Sequence, residues 1–158
     1  MDRIESFKVN HNYIVPGIYI SRIDGDIVTY DLRTRKPNNE ENDYMDNTTM
    51  HSFEHQFATY IRNSDIGDKV IYFGPMGCQT GFYLVTQRMS NKEISRHIIE
   101  TLHKIANHTG DVFGQSKVEC GNYKNLDNQK AVCEAKRYLD VLLENYNKYH
   151  NIISIYPT

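Results

Sequence analysis

Two histidines and a glutamate lie close together in the segment His51-Ser52-Phe53-Glu54-His55. Side chains three or four residues apart share one side of an α-helix, so a helix here would point both imidazoles the same way, with the carboxylate beside them. Two imidazoles at this spacing can bind one metal ion, and a neighbouring carboxylate can transfer protons. The segment therefore predicts a metal site with Glu54 as its base.

Two of the three cysteines lie where the chain is expected to turn. Cys120 lies next to Gly121 in an irregular segment, from which a thiolate could reach back to the histidine helix. Two histidines and a cysteine are a known catalytic ligand set that leaves a fourth position open, and they suit zinc or iron(II). Cys78 lies between two glycine-containing turns just before a predicted strand, so it is expected to be exposed as a nucleophile or general acid/base.

The other cysteine and the remaining histidines are interpreted as structural. Cys133 lies within a predicted helix, where we expect a small apolar packing residue. His11 lies in Asn10-His11-Asn12 and, taken alone, would be a loop histidine. Four more are expected to be ordinary surface or core residues: His97, His103, His108 and His150.

Strand pairs and helices must position these residues. Alternation and turn residues predict strands over 13–23, 26–36, 68–73 and 80–87. Amphipathic spacing predicts helices over 47–62, 90–108 and 127–149, the last with Ala135, Leu139, Leu142 and Tyr146 inside. Because the strands come in adjacent pairs, we expect an α+β two-layer domain, with an antiparallel sheet of about four to five strands and helices on one face.

Length and composition limit the class of protein. The 158 residues predict a single domain over 1–158, and a formal charge of −2 without basic clusters argues against a nucleic-acid partner. The sequence has no apolar run long enough for a membrane, and no export signal is expected from Met1–Ser6. Reduced thiols in a cytoplasmic protein are therefore the natural interpretation of three cysteines.

Several sequence blocks together resemble the S-ribosylhomocysteine lyase (LuxS) family. They occur in the family's order over nearly the whole chain, and the Pro-Met-Gly-Cys-x-Thr-Gly block is the most specific of them. The blocks are Glu5-Ser6-Phe7 with His11-Asn12, Tyr30-Asp31-Leu32-Arg33 with Pro37-Asn38, His51–His55, Pro75–Leu84 and Glu119-Cys120-Gly121.

The resemblance implies a metal-dependent carbon–sulfur lyase. His51, His55 and Cys120 would hold the metal, which would be iron(II) with zinc or cobalt as substitutes. Glu54 and Cys78 would form the acid/base pair. The reaction would move the carbonyl along the ribose and then release homocysteine by β-elimination. The second product, 4,5-dihydroxy-2,3-pentanedione, is the precursor of the quorum-sensing signal autoinducer-2, and homocysteine would return to the methyl cycle.

The resemblance also implies a homodimer with two sites at the interface. Ser6, His11 and Arg33 would line the ribose end of the substrate, with Ser6 and His11 reaching in from the neighbouring subunit. Arg62 would lie near the homocysteine end. One departure is Tyr72, at a position where the family often has aspartate near the amino-acid end of the substrate, so a carboxylate contact is not expected there.

Two alternatives to a lyase remain open on the residues themselves. Inverted zinc peptidases carry the same His-x-x-Glu-His spacing, but they need a downstream carboxylate ligand, whereas the best downstream ligand here is a thiolate. A metal-stabilised binding module without catalysis would need a closed site with four protein ligands.

Overall fold

A single five-stranded sheet carries a layer of helices on one face in the computed structural model, which describes all 158 residues. The helices and strands are α1 (Glu5–Lys8), β1 (Gly17–Asp24), β2 (Ile27–Arg33), α2 (Asn47–Arg62), β3 (Val70–Pro75), β4 (Gly81–Gln87), α3 (Asn91–Ala106), α4 (Asn128–Tyr149) and β5 (Ile153–Ile155). The sheet order is β3-β4-β2-β1-β5, and β1 to β4 pair antiparallel. The predicted α+β class is confirmed.

The core lies between the sheet and the three long helices. Alternate residues of the central strands, such as Leu32 of β2 and Phe82 of β4, belong to one buried cluster with residues of α2, α3 and α4. Phe53 of α2 stacks on Phe82 with ring centroids 4.8 Å apart, and Phe57 stacks on Phe73 at 4.2 Å. These contacts fix α2 against the sheet. No helix has the length and apolar character required to span a bilayer.

The other face of the sheet, called here the outer face, carries polar and aromatic side chains. Successive strand residues point to opposite faces, so Asp31 and Arg33 point away from the helices. Tyr19 of β1 and Tyr83 of β4 lie directly opposite Asp31 in the strand register, so their side chains share this face. Tyr156, just after β5, stacks on Tyr19 at 5.2 Å. The outer face is therefore built around a buried charged pair.

Some predicted element boundaries were wrong. The first strand begins at Gly17 instead of residue 13, because His11–Tyr13 form a 3₁₀ turn and Pro16 has no N–H to donate to a sheet. Strand β5 was not predicted; its three residues pair parallel to β1 and carry too short a pattern to detect. Helix α2 has the predicted bounds, and its N-cap is Asp46.

Two residues predicted to lie inside α4 are on the surface. Cys133 is exposed, and its sulfur only accepts a 3.6 Å contact from Gln129 Nε2 on the same helix. Tyr146 is 52% exposed. The buried stripe of α4 instead includes Ala131, Ala135, Tyr138 and Leu142. Position 133 falls outside this stripe, which follows the three- and four-residue helical spacing. Tyr146 continues the spacing four residues after Leu142, but it lies beyond the last buried residue of α4.

The start of α2 is held by a charged cap. The Asp46 carboxylate accepts from the backbone N–H of Thr49 at 2.7 Å and from Lys130 Nζ of α4 at 2.5 Å. The Lys130 contact, together with the Thr49 hydrogen bond, lowers the pKa of Asp46 from 3.8 to about 2. The cap therefore ties α2 to α4 only while Asp46 is ionised.

We expect Asp46→Asn to reduce stability at neutral pH and to flatten the acid dependence of unfolding. Because the folded pKa lies below the ordinary value, the wild-type stabilisation is complete above pH 4 and is lost as the pH falls towards 2. The exposed pair limits the effect to below about 1 kcal/mol. Urea unfolding of metal-free protein between pH 7 and pH 2.5 measures the effect. The prediction would be contradicted if the free energy of unfolding fell equally with decreasing pH in the wild type and in Asp46→Asn. Asp46→Ala also loses the N-cap hydrogen bond, so its free energy of unfolding should be lower by about a further 1 kcal/mol.

Candidate metal centre and cysteine cavity

Three predicted ligands meet at one point, called here the metal cluster. His51 and His55 come from adjacent turns of α2, and Cys120 comes from the loop before α4. One ligand atom from each residue lies within 4.8 Å of the others, and Cys120 Sγ is 3.4 Å from His51 Nε2. The three side chains are half-buried, so the cluster is open on one side.

Backbone carbonyls orient both imidazoles. His51 Nδ1 lies 3.1 Å from the carbonyl of Asn125, and His55 Nδ1 lies 2.8 Å from the carbonyl of Phe113. A carbonyl can only accept, so each Nδ1 carries the proton and each Nε2 presents its lone pair. Metal-binding histidines are typically fixed in this way by their second nitrogen.

The donor set fits a borderline or soft divalent metal. Two imidazole nitrogens and a thiolate suit zinc, iron(II) or cobalt, whereas calcium and magnesium prefer oxygen ligands. The backbone N–H of Asn122 points to Cys120 Sγ at 3.4 Å and helps to hold the sulfur in place. The cluster supplies three ligands and leaves room for a further one from water or substrate.

Glu54 lies on α2 between the two histidines. Its side chain is half-buried and makes no hydrogen bond within the chain. A carboxylate without a structural partner, one turn or less from both imidazoles, is available to exchange protons with a bound molecule. This is the position that the sequence predicted for a base.

Cys78 opens onto a separate cavity of about 310 Å³, called here the cysteine cavity. Two other predicted site residues, His11 and Arg33, line the same cavity. The remaining lining residues are Pro37, Asn38, Tyr44, Gln79 and Thr80. Cys78 itself is exposed, as predicted, and its sulfur lies 2.9 Å from Thr80 Oγ1.

A strained turn fixes the position of Cys78. Gln79 adopts φ +65°, which is uncommon for a residue with a side chain, and its N–H bonds to Met76 O at 3.0 Å. Gln79 also exchanges two hydrogen bonds with the backbone of Met45. Glycine is required at position 81, because a Cβ there would lie 2.6 Å from Leu32 O. These contacts clamp the turn against β2 and the start of α2.

Arg33 is held rigidly at the base of the cysteine cavity. Its guanidinium donates to both oxygens of Asp31, at 3.1 and 2.6 Å, and to Thr80 Oγ1 at 2.8 Å. Burial acts to lower the pKa of Arg33, but pairing with Asp31, with a contribution from Cys78, raises it above the ordinary value. The side chain is therefore a fixed positive charge beside Cys78.

The Asp31 carboxylate is completely buried and receives a third donor from the C-terminal segment. Tyr156 donates to Asp31 Oδ2 at 2.6 Å. Burial, followed by the nearby Asp31 charge, raises the pKa of Tyr156, so its hydroxyl stays protonated and keeps donating. The carboxylate is thereby saturated with donors, which compensates for its burial.

Two predicted substrate contacts, Ser6 and Arg62, belong neither to the metal cluster nor to the lining of the cysteine cavity. Ser6 lies on the exposed helix α1 and its side chain makes no hydrogen bond. Arg62, at the end of α2, donates to the carbonyls of Val70 and Ile71 on β3. Tyr72 is 55% exposed, and its hydroxyl lies over Gly74, where a Cβ would come within 2.1 Å of it.

The metal cluster and the cysteine cavity of one chain lie on different sides of the fold. On α2, at about 100° per residue, His51 and His55 point roughly 160° away from Phe53 and Phe57, which face the sheet. Arg33, at the base of the cysteine cavity, points from the outer face of that sheet. Helix α2 and the sheet therefore separate the two groups within a chain.

Comparison with known proteins identifies the family to which the chain belongs. The S-ribosylhomocysteinase (LuxS) family matches residues 4–149. The S-ribosylhomocysteine lyase of Finegoldia magna is 42% identical over 99% of each chain. The enzymes of the same name from Clostridium beijerinckii and Borreliella afzelii are 41% and 38% identical over at least 90% of each chain. The chain belongs to the LuxS family.

Membership of the LuxS family resolves the alternatives left open by the sequence. The chain is a carbon–sulfur lyase of the S-ribosylhomocysteine lyase type, and the peptidase interpretation of the His51–His55 segment is not favoured. The cluster agrees, because its third ligand atom is the sulfur of Cys120 and not a carboxylate oxygen. The expected lyase function is confirmed.

Sequence reasoning missed the partners that hold Arg33 and Cys78 in this LuxS chain. Asp31 precedes Arg33 by two residues on a strand, and this spacing places both on one face, so the pair could have been anticipated. Thr80 joins Arg33 to Cys78 across the strand pair. No local pattern indicated Tyr156, which lies 125 residues from Asp31.

Proposed function

We propose that this chain converts S-ribosylhomocysteine to homocysteine and 4,5-dihydroxy-2,3-pentanedione, with His51, His55 and Cys120 holding one divalent metal per subunit. The single observation that carries the proposal is the convergence of these three side chains, with both imidazoles oriented by carbonyls. Iron(II) is the metal we expect, with zinc or cobalt able to replace it. When bound, the metal would act as a Lewis acid towards the carbonyl and hydroxyl oxygens of the sugar.

Glu54 and Cys78 move the protons. A base removes the proton from the carbon next to the sugar carbonyl, and the proton returns to the neighbouring carbon, which moves the carbonyl by one position. After two such shifts, the carbon beside the C–S bond carries an acidic hydrogen. Its removal expels the homocysteine thiolate, which takes up a proton, and the remaining enol becomes the diketone. The products together contain the atoms of the substrate, and no oxidant or water is consumed.

The active site is shared between two copies of the chain. In one chain α2 and the sheet separate the metal cluster from the cysteine cavity, whereas the mechanism needs Glu54 and Cys78 on two sides of one sugar. A symmetric dimer would supply both groups at each of two equivalent sites. His11 lines the same cavity as Cys78, so we assign His11, Arg33 and Cys78 to one subunit and the metal cluster with Glu54 to its partner.

Substrate recognition is divided between the two ends of the molecule. Arg33 and His11 present donors to the ribose hydroxyls in the cysteine cavity. Ser6, on the exposed helix α1, would reach the ribose end only when the second subunit is in place. Arg62 and Tyr72 are placed at the homocysteine end, where Tyr72 offers a hydroxyl and a ring face but no charge for the amino group.

The direct test is release of a free thiol from S-ribosylhomocysteine. Iron-loaded protein should generate one equivalent of thiol per substrate, detected with a disulfide reagent, together with the diketone. No thiol above the background of metal-free protein would overturn the proposal. Thiol release without the diketone would indicate a different cleavage.

We expect Glu54→Gln to bind metal and substrate normally but to lose turnover by about 10²- to 10⁴-fold, because the amide keeps the shape of the side chain and cannot exchange protons. Metal content, the substrate KM and kcat measure the three effects. Glu100→Gln is the matched control, because the exposed Glu100 on α3 hydrogen-bonds only to Arg96 and should retain activity. Full activity of Glu54→Gln would contradict its assignment as a base.

The cellular setting follows from the same chemistry. All three cysteines are free thiols, which suits a reducing cytoplasm. The diketone would serve autoinducer-2 synthesis, and the homocysteine would re-enter the methyl cycle.

A further inference from the structure

Thr80 joins the fixed charge of Arg33 to the sulfur of Cys78. Its hydroxyl oxygen lies 2.8 Å from Arg33 Nη1 and 2.9 Å from Cys78 Sγ, and the residue is 2% exposed. Arg33 is itself fixed by two hydrogen bonds to Asp31. The four side chains form one continuous polar chain from the outer face of the sheet to the reactive sulfur.

Counting donors and acceptors gives this chain a direction. A guanidinium can only donate, so Thr80 Oγ1 must accept from Arg33. The hydroxyl has one proton, and its only other hydrogen-bond partner is Cys78 Sγ. If the Cys78 thiol donated instead, the Thr80 proton would be left buried without an acceptor, which costs free energy. The satisfied arrangement has Thr80 donating to the sulfur of Cys78, a hydrogen bond that a thiolate accepts more strongly than a thiol.

We propose that Thr80 is a positioning residue whose hydroxyl donates to the sulfur of Cys78, stabilises the thiolate relative to the thiol and aims the sulfur into the cysteine cavity. The inference rests on the proposed acid/base function of Cys78, and it assigns the activation of that thiol to a neutral hydroxyl that Arg33 has oriented. A hydrogen bond to a charged acceptor is stronger than one to a neutral acceptor, so the hydroxyl stabilises the thiolate more than the thiol.

The variants Thr80→Val and Thr80→Ser separate this function from packing. Valine fills nearly the same space without a hydroxyl, whereas serine keeps the hydroxyl and loses a methyl group. Both leave in place the titratable and charged groups around Cys78, which are Arg33, Asp31, His11, Tyr44 and Tyr83. A difference in Cys78 reactivity between the two variants can therefore be attributed to the hydroxyl group.

The experiment measures alkylation of Cys78 by iodoacetamide against pH, using metal-loaded protein with Cys133→Ser to remove the other exposed thiol. Mass spectrometry of the Cys78 peptide gives the rate. For Thr80→Val we expect about tenfold slower alkylation at pH 7 and a profile displaced to higher pH, with the metal content unchanged. Thr80→Ser should stay within about threefold of the parent. The same order should hold for kcat, with little change in KM.

An unchanged alkylation profile in Thr80→Val, or a serine variant as impaired as the valine variant, would overturn the inference. If Thr80→Val does not fold, as judged by circular dichroism, Thr80→Ala against Thr80→Ser makes the same comparison. The alkylation assay needs no substrate. A parent protein that alkylates as expected but releases no homocysteine would therefore reject the proposed function and leave the inference on Thr80 standing.

Discussion

Replacing Cys78 with alanine is expected to lower turnover by about 10³-fold, because loss of a general acid/base group typically costs 10²- to 10⁴-fold. The metal content should not change, since Cys78 lies in the cysteine cavity and not in the metal cluster. Substrate binding should change little, because Arg33 keeps its bonds to Asp31 and Thr80. Thiol release and metal analysis on the same sample measure both effects. Normal homocysteine release by Cys78→Ala would disprove the assignment.

Mixing two inactive variants tests whether the site is shared. In a dimer of one Cys78→Ala chain and one Glu54→Gln chain, one site carries both defects and the other carries neither, if each site takes these residues from different chains. The purified mixed dimer should then have about half the wild-type activity, as two-fold symmetry requires. If both residues of a site came from one chain, every site would carry a defect and the mixture would stay inactive.

Matched controls make the mixing experiment decisive. Differently tagged Cys78→Ala chains mixed with each other have no intact site in either arrangement and should remain inactive. A mixed dimer of Cys78→Ala with Thr80→Val should also remain weak, because both changes affect the same half-site and the Glu54 of both chains is intact. In this mixed dimer, the only site that keeps Cys78 takes it from the chain that carries Thr80→Val. Recovery in the first control would point to contamination, and recovery in the second would mean that the valine does not impair its half-site.

The sequence allowed the metal helix to be predicted in detail, because its information is local. The spacing of His51, Glu54 and His55 and the apolar positions Phe53 and Phe57 lie within two turns of one helix, whose period determines which side chains share a face. The strand pairs were predicted from the same kind of local pattern, and they determined the α+β class.

The sequence did not indicate which residues from distant segments hydrogen-bond to the side chains of the site. Thr80 reaches Arg33 across 47 residues, and Tyr156 reaches Asp31 across 125. Such contacts depend on the register between strands and on the path of the C-terminal segment, neither of which has a local signature. Cys133 is a different kind of error, because the spacing of the buried residues Ala131, Ala135 and Leu142 places position 133 on the opposite side of α4.

Replacing Cys120 with alanine is expected to abolish metal binding, reducing the metal content from about one per subunit to less than about one-tenth, because the thiolate would be one of only three protein ligands in the proposed site. The two imidazoles would keep their carbonyl contacts, so the helix and its histidine orientation should survive. Cobalt-loaded wild-type protein should show thiolate-to-cobalt charge-transfer absorption, and Cys120→Ala should not.

Thermal unfolding gives a second measurement that does not depend on activity. Metal bound only to the folded state at 100 times its dissociation constant contributes about 2.7 kcal/mol, which corresponds to about 5–10 °C for a chain of this size. Chelation should lower the melting temperature of the wild type by that amount and leave Cys120→Ala unchanged. Cys133→Ala is the matched control, because the exposed Cys133 contacts only Gln129 and should keep both the metal and the chelator response. Full metal content in Cys120→Ala would mean that the third ligand is a residue other than Cys120. The open coordination position proposed for the sugar would then also lie elsewhere.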